Sequence, residues 1–100
     1  MLNYPFEEGE IFKEIPGTKK EGTYFVSNKG KVLSLYKNKY IILTPDLSTK
    51  YERVKINGKN KLIHRLVAQA FIDNPKAKKE VHHKDLNTKN NCVGNLEWLT

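Results

Sequence analysis

The 100-residue chain contains a single cysteine, Cys92, and only two arginines, Arg53 and Arg65. One thiol excludes both an intramolecular disulfide framework and a four-cysteine zinc site. No apolar run approaches the roughly 18 residues that a membrane-spanning helix needs. The acidic start of the chain, MLNYPFEEGE, lacks the apolar segment of a secretory signal. We therefore expect a cytoplasmic protein with no membrane partner, in which Cys92 is chemically inert.

The net charge is +7, and the basic residues are concentrated after residue 28. Residues 1–28 hold five acidic residues and three lysines, whereas residues 29–100 hold fifteen basic and six acidic residues. Lysine contacts phosphates as a point charge, whereas arginine more often reads guanine edges. The lysine-rich composition therefore favours binding to a nucleic-acid backbone with little reading of sequence. The alternative is that the lysines only keep a small domain soluble.

The apolar pattern predicts an α+β fold with a small antiparallel sheet and one central helix. Turns are predicted at residues 27–30 and at Asn57-Gly58. The helix is predicted over His64–Phe71, where apolar residues form one stripe, and Asn74-Pro75 is expected to end it. The candidate strands are Thr23–Val26, Lys31–Tyr36, Tyr40–Leu43, Tyr51–Ile56 and Asn60–Ile63.

The last segment, residues 80–100, carries the residues that suggest chemistry. Strand-like pieces around Val81 and Leu96–Trp98 flank a loop rich in Asn and Asp. Such side chains hydrogen-bond nearby backbone and can fix an irregular loop without a large core. His82 and His83 end the first piece, and adjacent strand residues point to opposite faces. One histidine could therefore bind a metal ion while the other serves as general base, or one could face the core.

This stretch resembles the HNH, or ββα-metal, nuclease motif of phage and intron-encoded homing endonucleases. The family pattern is V-[ND]-H-x-D-x-N-x-x-N-N-x-x-x-N-L-x-W-x-T. The matching residues are Val81, His83, Asp85, Asn87, Asn90, Asn91, Asn95, Leu96, Trp98 and Thr100.

Two further blocks resemble other parts of the same proteins. Residues 64–71 with Asn74-Pro75 resemble the segment that precedes the motif. Glu10–Lys13, Ile15-Pro16-Gly17 and Tyr24–Leu35 resemble the NUMOD4 module. The three blocks occur in order and cover nearly the whole chain. They divide it into a NUMOD4-like sheet module, residues 1–57, and a helix plus HNH motif, residues 58–100.

The resemblance implies a metal-dependent endonuclease that hydrolyses phosphodiester bonds of double-stranded DNA. His83 would be the general base, a role that suits imidazole because it exchanges a proton near neutral pH. Asn95 would brace the loop and so orient that histidine. His82 occupies the slot of an Asp or Asn metal ligand. Mg²⁺ or Mn²⁺ is the usual ion, and a nitrogen ligand shifts preference away from Mg²⁺ toward Mn²⁺, Ni²⁺ or Zn²⁺.

The remaining candidates have supporting roles. Asp85, Asn91 and Trp98 are expected to be structural, with the Trp98 ring in the core. His64 is expected to be a structural histidine at the helix start. Tyrosines of the strands (Tyr24, Tyr36, Tyr40 and Tyr51) are expected to pack in the sheet rather than stack on bases. The candidate DNA contacts are Arg65, Lys76, Lys78, Lys79, Lys84 and Lys89, although Arg65 could equally pair with an acid.

In the family, a helix follows the Trp98-x-Thr100 segment and carries the last metal ligand a few residues further on. The sequence stops where that helix would start, so the expected fold is a ββ(α)-metal motif whose last helix is missing. The alternative function is therefore a catalytically dead derivative that binds DNA or acts as a protein-binding phage inhibitor. A zinc-stabilised element without chemistry is disfavoured, because the chain has only three histidines and one cysteine. A phage origin would place the protein in a bacterial host cell.

Overall fold

The computed structural model describes residues 8–16 and 23–99, which form eight strands, one α-helix and one 3₁₀ turn. Gly17 and Thr100, which belong to the matched segments, lie outside the described residues. The predicted α+β class is confirmed. The elements are β1 (Phe12–Glu14), β2 (Thr23–Ser27), β3 (Val32–Tyr36), β4 (Lys39–Ile42), β5 (Arg53–Ile56), β6 (Lys59–Leu62), α1 (Ile63–Phe71), β7 (Glu80–His83), the 3₁₀ turn Val93–Asn95 and β8 (Leu96–Leu99).

The strands form one sheet and two hairpins, all antiparallel. Strands β1 to β4 form a four-stranded sheet in sequence order, whereas β5 pairs with β6 and β7 with β8. The sequence predicted one small antiparallel sheet that includes the strand at Tyr51–Ile56, and this is wrong for β5, whose hairpin with β6 forms a sheet of its own. Strand β1 was not predicted, because three residues are too few to show an alternating pattern. Its register pairs Phe12 with Ser27 and Glu14 with Phe25.

Two tight turns of the same kind close β3–β4 and β5–β6. Asn57 and Gly58 have φ of 49° and 79°, as expected for the predicted Asn-Gly hairpin turn. Lys37 and Asn38, with φ of 49° and 63°, form a second such turn without a glycine.

Helix α1 lies across the core and begins directly where β6 ends. Ile63 and Val67 of the helix are fully buried against Val26 of β2 and Val32 of β3. Burial of each such side chain stabilises the fold by about 1.5–3 kcal/mol. Leu96 of β8 joins the same cluster, so the helix connects the N-terminal sheet with the β7–β8 hairpin. No helix of the described residues is long and apolar enough to cross a membrane.

The Asn74 side chain closes the loop that follows α1. The helix ends at Phe71, ahead of the predicted Asn-Pro stop. Asn74 then accepts a hydrogen bond from the Lys78 N–H at 2.8 Å and donates one to the Lys78 carbonyl at 2.7 Å. This loop leads the chain into β7.

The turn between β2 and β3 contacts the loop of the terminal motif. The Asn28 carbonyl accepts a hydrogen bond from the Val93 N–H at 2.8 Å. Gly30 has φ of +87°, and a Cβ at this position would lie 2.9 Å from the Asn91 Cβ. The close approach therefore requires glycine for two reasons, the left-handed backbone and the lack of space.

Replacement of Gly30 by alanine should destabilise the protein more than the same change at Gly58. Gly58 has a similar φ of +79°, but nothing lies within 4 Å of its added Cβ. Both variants carry the backbone strain, whereas only Gly30→Ala also forces the Asn91 side chain to move. We expect an additional loss of about 1–3 kcal/mol in the free energy of unfolding, measured by urea denaturation. Equal losses in the two variants would contradict the tight contact.

Candidate active site

The two adjacent histidines lie at the end of β7 and point to opposite faces of the β7–β8 hairpin. The register pairs His82 with Glu97 and His83 with Leu96. His83 is on the core side and only 4% exposed, whereas His82 is half-buried. The strand alternation expected from the sequence therefore separates them into one inward and one outward imidazole.

The inward imidazole belongs to a chain of three hydrogen-bonded side chains. His83 Nε2 lies 2.8 Å from Asn91 Oδ1, and Asn91 Nδ2 donates to Glu52 Oε1 at 2.8 Å. A carboxylate only accepts hydrogen bonds, so the Asn91 NH₂ group faces Glu52 and its carbonyl oxygen faces the histidine. The His83 proton therefore lies on Nε2, and Nδ1 keeps its lone pair.

Two further rings surround His83. Its ring centroid lies 5.9 Å from that of Tyr51 and 5.0 Å from that of His64, and Tyr51 and His64 stack at 4.9 Å. Tyr51 was expected to pack in the sheet, but it lies just before β5 and packs on these two histidine rings instead. His64, expected to be a structural histidine at the helix start, lies directly beside the candidate general base.

His64 is uncharged in this cluster. Its side chain is buried, and within the described residues Nδ1 has no hydrogen-bond partner. Burial, and to a smaller extent electrostatic repulsion from His83 and Arg65, lower the pKa of His64 to about 4. A neutral imidazole beside His83 adds no competing charge to the site.

The loop after His83 is fixed by amide and carboxylate side chains. Asn95 accepts a hydrogen bond from the Asp85 N–H at 3.1 Å and donates to Asp85 Oδ1 and to the Asn90 carbonyl, both at 2.9 Å. Asp85 also accepts from the side chain of Asn90 and the backbone of Asn87, at 2.9 and 2.8 Å. The Asn90, Asn87 and Asn95 hydrogen bonds, in that order, hold the pKa of Asp85 below its usual range.

Asn95 and Asn91 therefore have different structural roles. Asn95 holds the loop, and its carbonyl accepts a hydrogen bond from the Lys84 N–H at 2.7 Å. The side-chain hydrogen bond to His83 comes from Asn91, a residue for which the sequence indicated only a structural role. Glu52, the third member of the chain, was not among the sequence candidates.

One donor for a metal ion is in place. His82 presents an imidazole on the outward face of the hairpin, with the carboxylate-bearing Glu97 opposite it in the register. Imidazole nitrogen is a ligand for Mn²⁺, Zn²⁺ and Ni²⁺. However, the part of the chain that the structure describes holds no group of three or more His, Cys, Asp or Glu side chains suited to a metal ion. These residues alone do not complete a metal site.

Most of the candidate DNA contacts surround Trp98. Arg65, Lys78 and Lys79 line one depression beside this ring, and Lys76, Lys78 and Lys84 line the next. These five basic residues around the ring are called the Trp98 surface. Lys89 lies elsewhere, where its Nζ donates to the Thr49 carbonyl at 3.0 Å.

Arg65 lies beside Trp98, which is less buried than the sequence predicted. Arg65 donates to the Lys79 carbonyl at 2.8 Å, and its guanidinium lies 5.9 Å from the Trp98 ring centre. Trp98, expected in the core, is half-buried at its edge. Its indole N–H donates to the Ile72 carbonyl at 3.0 Å, a bond that requires the ring to reach the end of the helix.

The hairpin has two histidines at the end of its first strand and a loop braced by asparagine side chains, the arrangement that the HNH motif implies. The HNH endonuclease family matches residues 61–100, and the NUMOD4 motif family matches residues 10–57. The chain belongs to the HNH endonucleases of the homing type and carries a NUMOD4 motif ahead of its HNH segment.

Relatives and a solved structure agree with this assignment. The DNA endonuclease I-HmuI of Bacillus phage SP01 is 37% identical over 93 residues, covering 89% of this chain and 52% of that enzyme. An uncharacterised HNH endonuclease of Acanthamoeba polyphaga mimivirus is 40% identical over 81 residues, covering 77% of this chain and 24% of that protein. A structure of I-HmuI, described as showing DNA binding and cleavage, matches with a TM-score of 0.74 and 36% identity over 90% of this chain and 52% of that one. The chain thus spans about a quarter to a half of the length of these relatives.

The stability of the protein should fall as the pH is lowered from 6.5 toward 4. The pKa of the His64 imidazole is lowered from its ordinary value of 6.5 to about 4 on folding, so between these values the unfolded chain binds the proton more strongly. Stability therefore falls with pH over this range, and the loss reaches about 3 kcal/mol at its lower end.

His64→Phe should remove this component and flatten the pH dependence of the free energy of unfolding, measured by urea titrations across the range. His82→Gln, which removes a half-buried imidazole of β7, is the matched control and should retain the slope. An unchanged slope in His64→Phe would contradict the assignment of a neutral, buried His64.

Proposed function

We propose that the protein is a DNA endonuclease that hydrolyses phosphodiester bonds of double-stranded DNA, with His83 as its general base. The observation that carries the proposal is the His83 imidazole, held at the end of β7 by Asn91 with the proton on Nε2. The similarity to I-HmuI, itself described as binding and cleaving DNA, supports it.

Phosphodiester hydrolysis needs a base for the attacking water, positive charge at the phosphate and a proton for the leaving oxygen. In the proposed reaction His83 takes the water proton on Nδ1, the nitrogen that is not bonded to Asn91. The uncharged rings of His64 and Tyr51 pack against the His83 ring. Lys84 follows His83 directly in the chain, is exposed, and would place positive charge beside the phosphate.

HNH nucleases generally depend on a divalent metal ion, which supplies positive charge at the scissile phosphate. We propose His82 as the ligand that this chain provides, with the remaining ligands from phosphate, water and residues outside the described ranges. The nitrogen ligand favours Mn²⁺, Ni²⁺ or Zn²⁺ over Mg²⁺. We also propose that the protein acts on DNA in the cytoplasm of a bacterial host that carries a phage.

His83→Ala should abolish cleavage and leave DNA binding intact. Loss of general-base catalysis is worth about 10²–10⁴-fold in rate. The assay is nicking of supercoiled plasmid in Mg²⁺, Mn²⁺, Ni²⁺ and Zn²⁺, with the chain as its gene encodes it, including any residues after Thr100. Cys92→Ser, at an exposed thiol, is the control and should cleave normally.

A wild-type chain that cuts DNA with none of these ions would refute the nuclease proposal. The observation that favours a second function is the lack of a three-ligand metal group among the described residues. DNA binding without cleavage would support a DNA-binding derivative of a nuclease. Failure to bind DNA would support the protein-binding inhibitor.

Removal of two lysines beside Trp98 should weaken DNA binding equally for all sequences. Lys78 and Lys84 line the same depression, and each would release about one counterion from the duplex. In Lys78→Ala/Lys84→Ala, the slope of log affinity against log salt should therefore fall by about 2 in magnitude. The measurement is fluorescence anisotropy with unrelated duplexes across a salt series.

Lys37→Ala/Lys39→Ala, at the β3–β4 turn, removes two exposed lysines that line neither depression beside Trp98 and is the control for net charge. Its salt slope should match that of the wild type. If the double variant binds with an unchanged slope, the Trp98 surface does not contact the DNA backbone.

A further inference from the structure

Glu52 lies just before β5, outside the segment that the HNH family matches, and the motif gives it no function. Its main chain and its side chain are both engaged. The Glu52 carbonyl accepts the N–H of Ile63, the first residue of α1, at 3.0 Å. Its Oε1 accepts the Asn91 NH₂ group at 2.8 Å. The half-buried carboxylate is thus held in place from the helix start and directed at Asn91.

We infer that Glu52 is a positioning residue for His83, acting through the Asn91 side chain. The inference rests on the proposed function, because it concerns the residue proposed as general base. Glu52, a residue of the N-terminal segment, would then control which nitrogen of His83 carries the proton.

An asparagine alone cannot fix this tautomer. Its amide offers an acceptor on one side and a donor on the other, and a rotation of 180° about the terminal bond exchanges them. An imidazole nitrogen can equally donate or accept, so either amide orientation would satisfy His83. A carboxylate can only accept, and Glu52 therefore selects the orientation in which Asn91 presents its oxygen to His83 Nε2.

The surroundings of Asn91 leave it no other arrangement. Asn91 is 4% exposed, and both polar groups of its side chain are bonded to protein. Gly30 lies against the Cβ of Asn91, and a methyl group added to Gly30 would come within 2.9 Å of that atom. The position of Asn91 is thus set by packing, while its orientation is set by Glu52.

The neighbouring rings do not provide an alternative control. His64 contacts His83 through its ring and has a buried Nδ1 without a hydrogen-bond partner in the described ranges. Tyr51 stacks on His83 with ring planes 17° apart, a geometry that packs the face of the imidazole rather than its nitrogens. Among the described residues, Asn91 provides the side-chain hydrogen bond to this ring.

The direct test is the tautomer of His83 in Glu52→Gln, read from the ¹⁵N chemical shifts of its ring nitrogens at alkaline pH, where the imidazole is neutral. The glutamine keeps the size of the side chain, but the two amides can now rotate together. We expect the wild type to hold its proton on Nε2 and the variant to show a mixture of both tautomers. In the cleavage assay, kcat should fall about 10- to 100-fold with KM for DNA unchanged.

A second variant separates positioning from damage to the fold. In Glu52→Gln/Asn91→Asp the carboxylate moves to position 91, where it accepts from His83 Nε2 and from the new glutamine. This variant should restore the Nε2 tautomer and most of kcat. The matched control is Glu80→Gln, which removes one negative charge from an exposed position of β7 and should change neither readout.

An Nε2 tautomer that is retained in Glu52→Gln, with kcat unchanged, would overturn the inference. So would a double variant that fails to restore the tautomer while its thermal unfolding matches that of the wild type. The tautomer is measured without DNA or metal, so a chain that never cleaves would refute the proposed function and leave this test intact.

Discussion

The position of Asn91 is the constraint on which the arrangement of the site depends. Its Cβ rests against Gly30 of the N-terminal sheet, its NH₂ group is bonded to Glu52, and its carbonyl oxygen is bonded to His83. Three distant parts of the sequence therefore meet at one small polar side chain. Because it is buried, each of these contacts must be satisfied by protein, and a buried polar group without a partner would cost as much as the bond it lost. The β7–β8 hairpin is in this way oriented by the N-terminal segment.

The loop between His83 and the 3₁₀ turn shows how a protein with a thin core fixes an irregular segment. Its apolar residue Leu86 is 77% exposed, so burial contributes little to holding it. Asp85 and Asn95 instead bond to each other and to the backbone of the loop, which gives the segment a defined path without packing. Leu86 adopts φ of 65°, the left-handed conformation in which a non-glycine residue is strained. The side-chain hydrogen bonds compensate for that strain.

Local sequence features predicted the local parts of the structure. The apolar stripe of residues 63–71 identified α1, and the Asn57-Gly58 pair identified its turn, because both depend on neighbours in sequence. The histidine motif likewise identified the β7–β8 hairpin. Strand β1 and the separation of the β5–β6 hairpin from the N-terminal sheet escaped prediction, since the sheet that a short strand joins is decided only when distant segments meet.

The assignment of amides in the site shows the same limit. The resemblance to the HNH motif singled out Asn95, and this side chain is hydrogen-bonded across the loop. Which asparagine reaches His83 depends on the path of the chain from Asp85 to Val93, and that path is set by contacts with Asn28 and Gly30. Glu52 carries no signal of its own, because a lone carboxylate before a strand is indistinguishable from a solvated one until its partner is known.

The contacts of Gly30 and Glu52 with Asn91 also limit how the two segments of such a chain can be exchanged between proteins. The two matched segments, residues 10–57 and 61–100, resemble interchangeable modules when they are viewed as sequence. Exchange of one segment alone would nevertheless separate Gly30 and Glu52 from Asn91, the residue that they hold in place. An incoming N-terminal segment would need a glycine and a carboxylate at matching places in its fold to support the histidine. We therefore expect the two segments to be inherited together, with substitutions in one segment correlated with substitutions in the other.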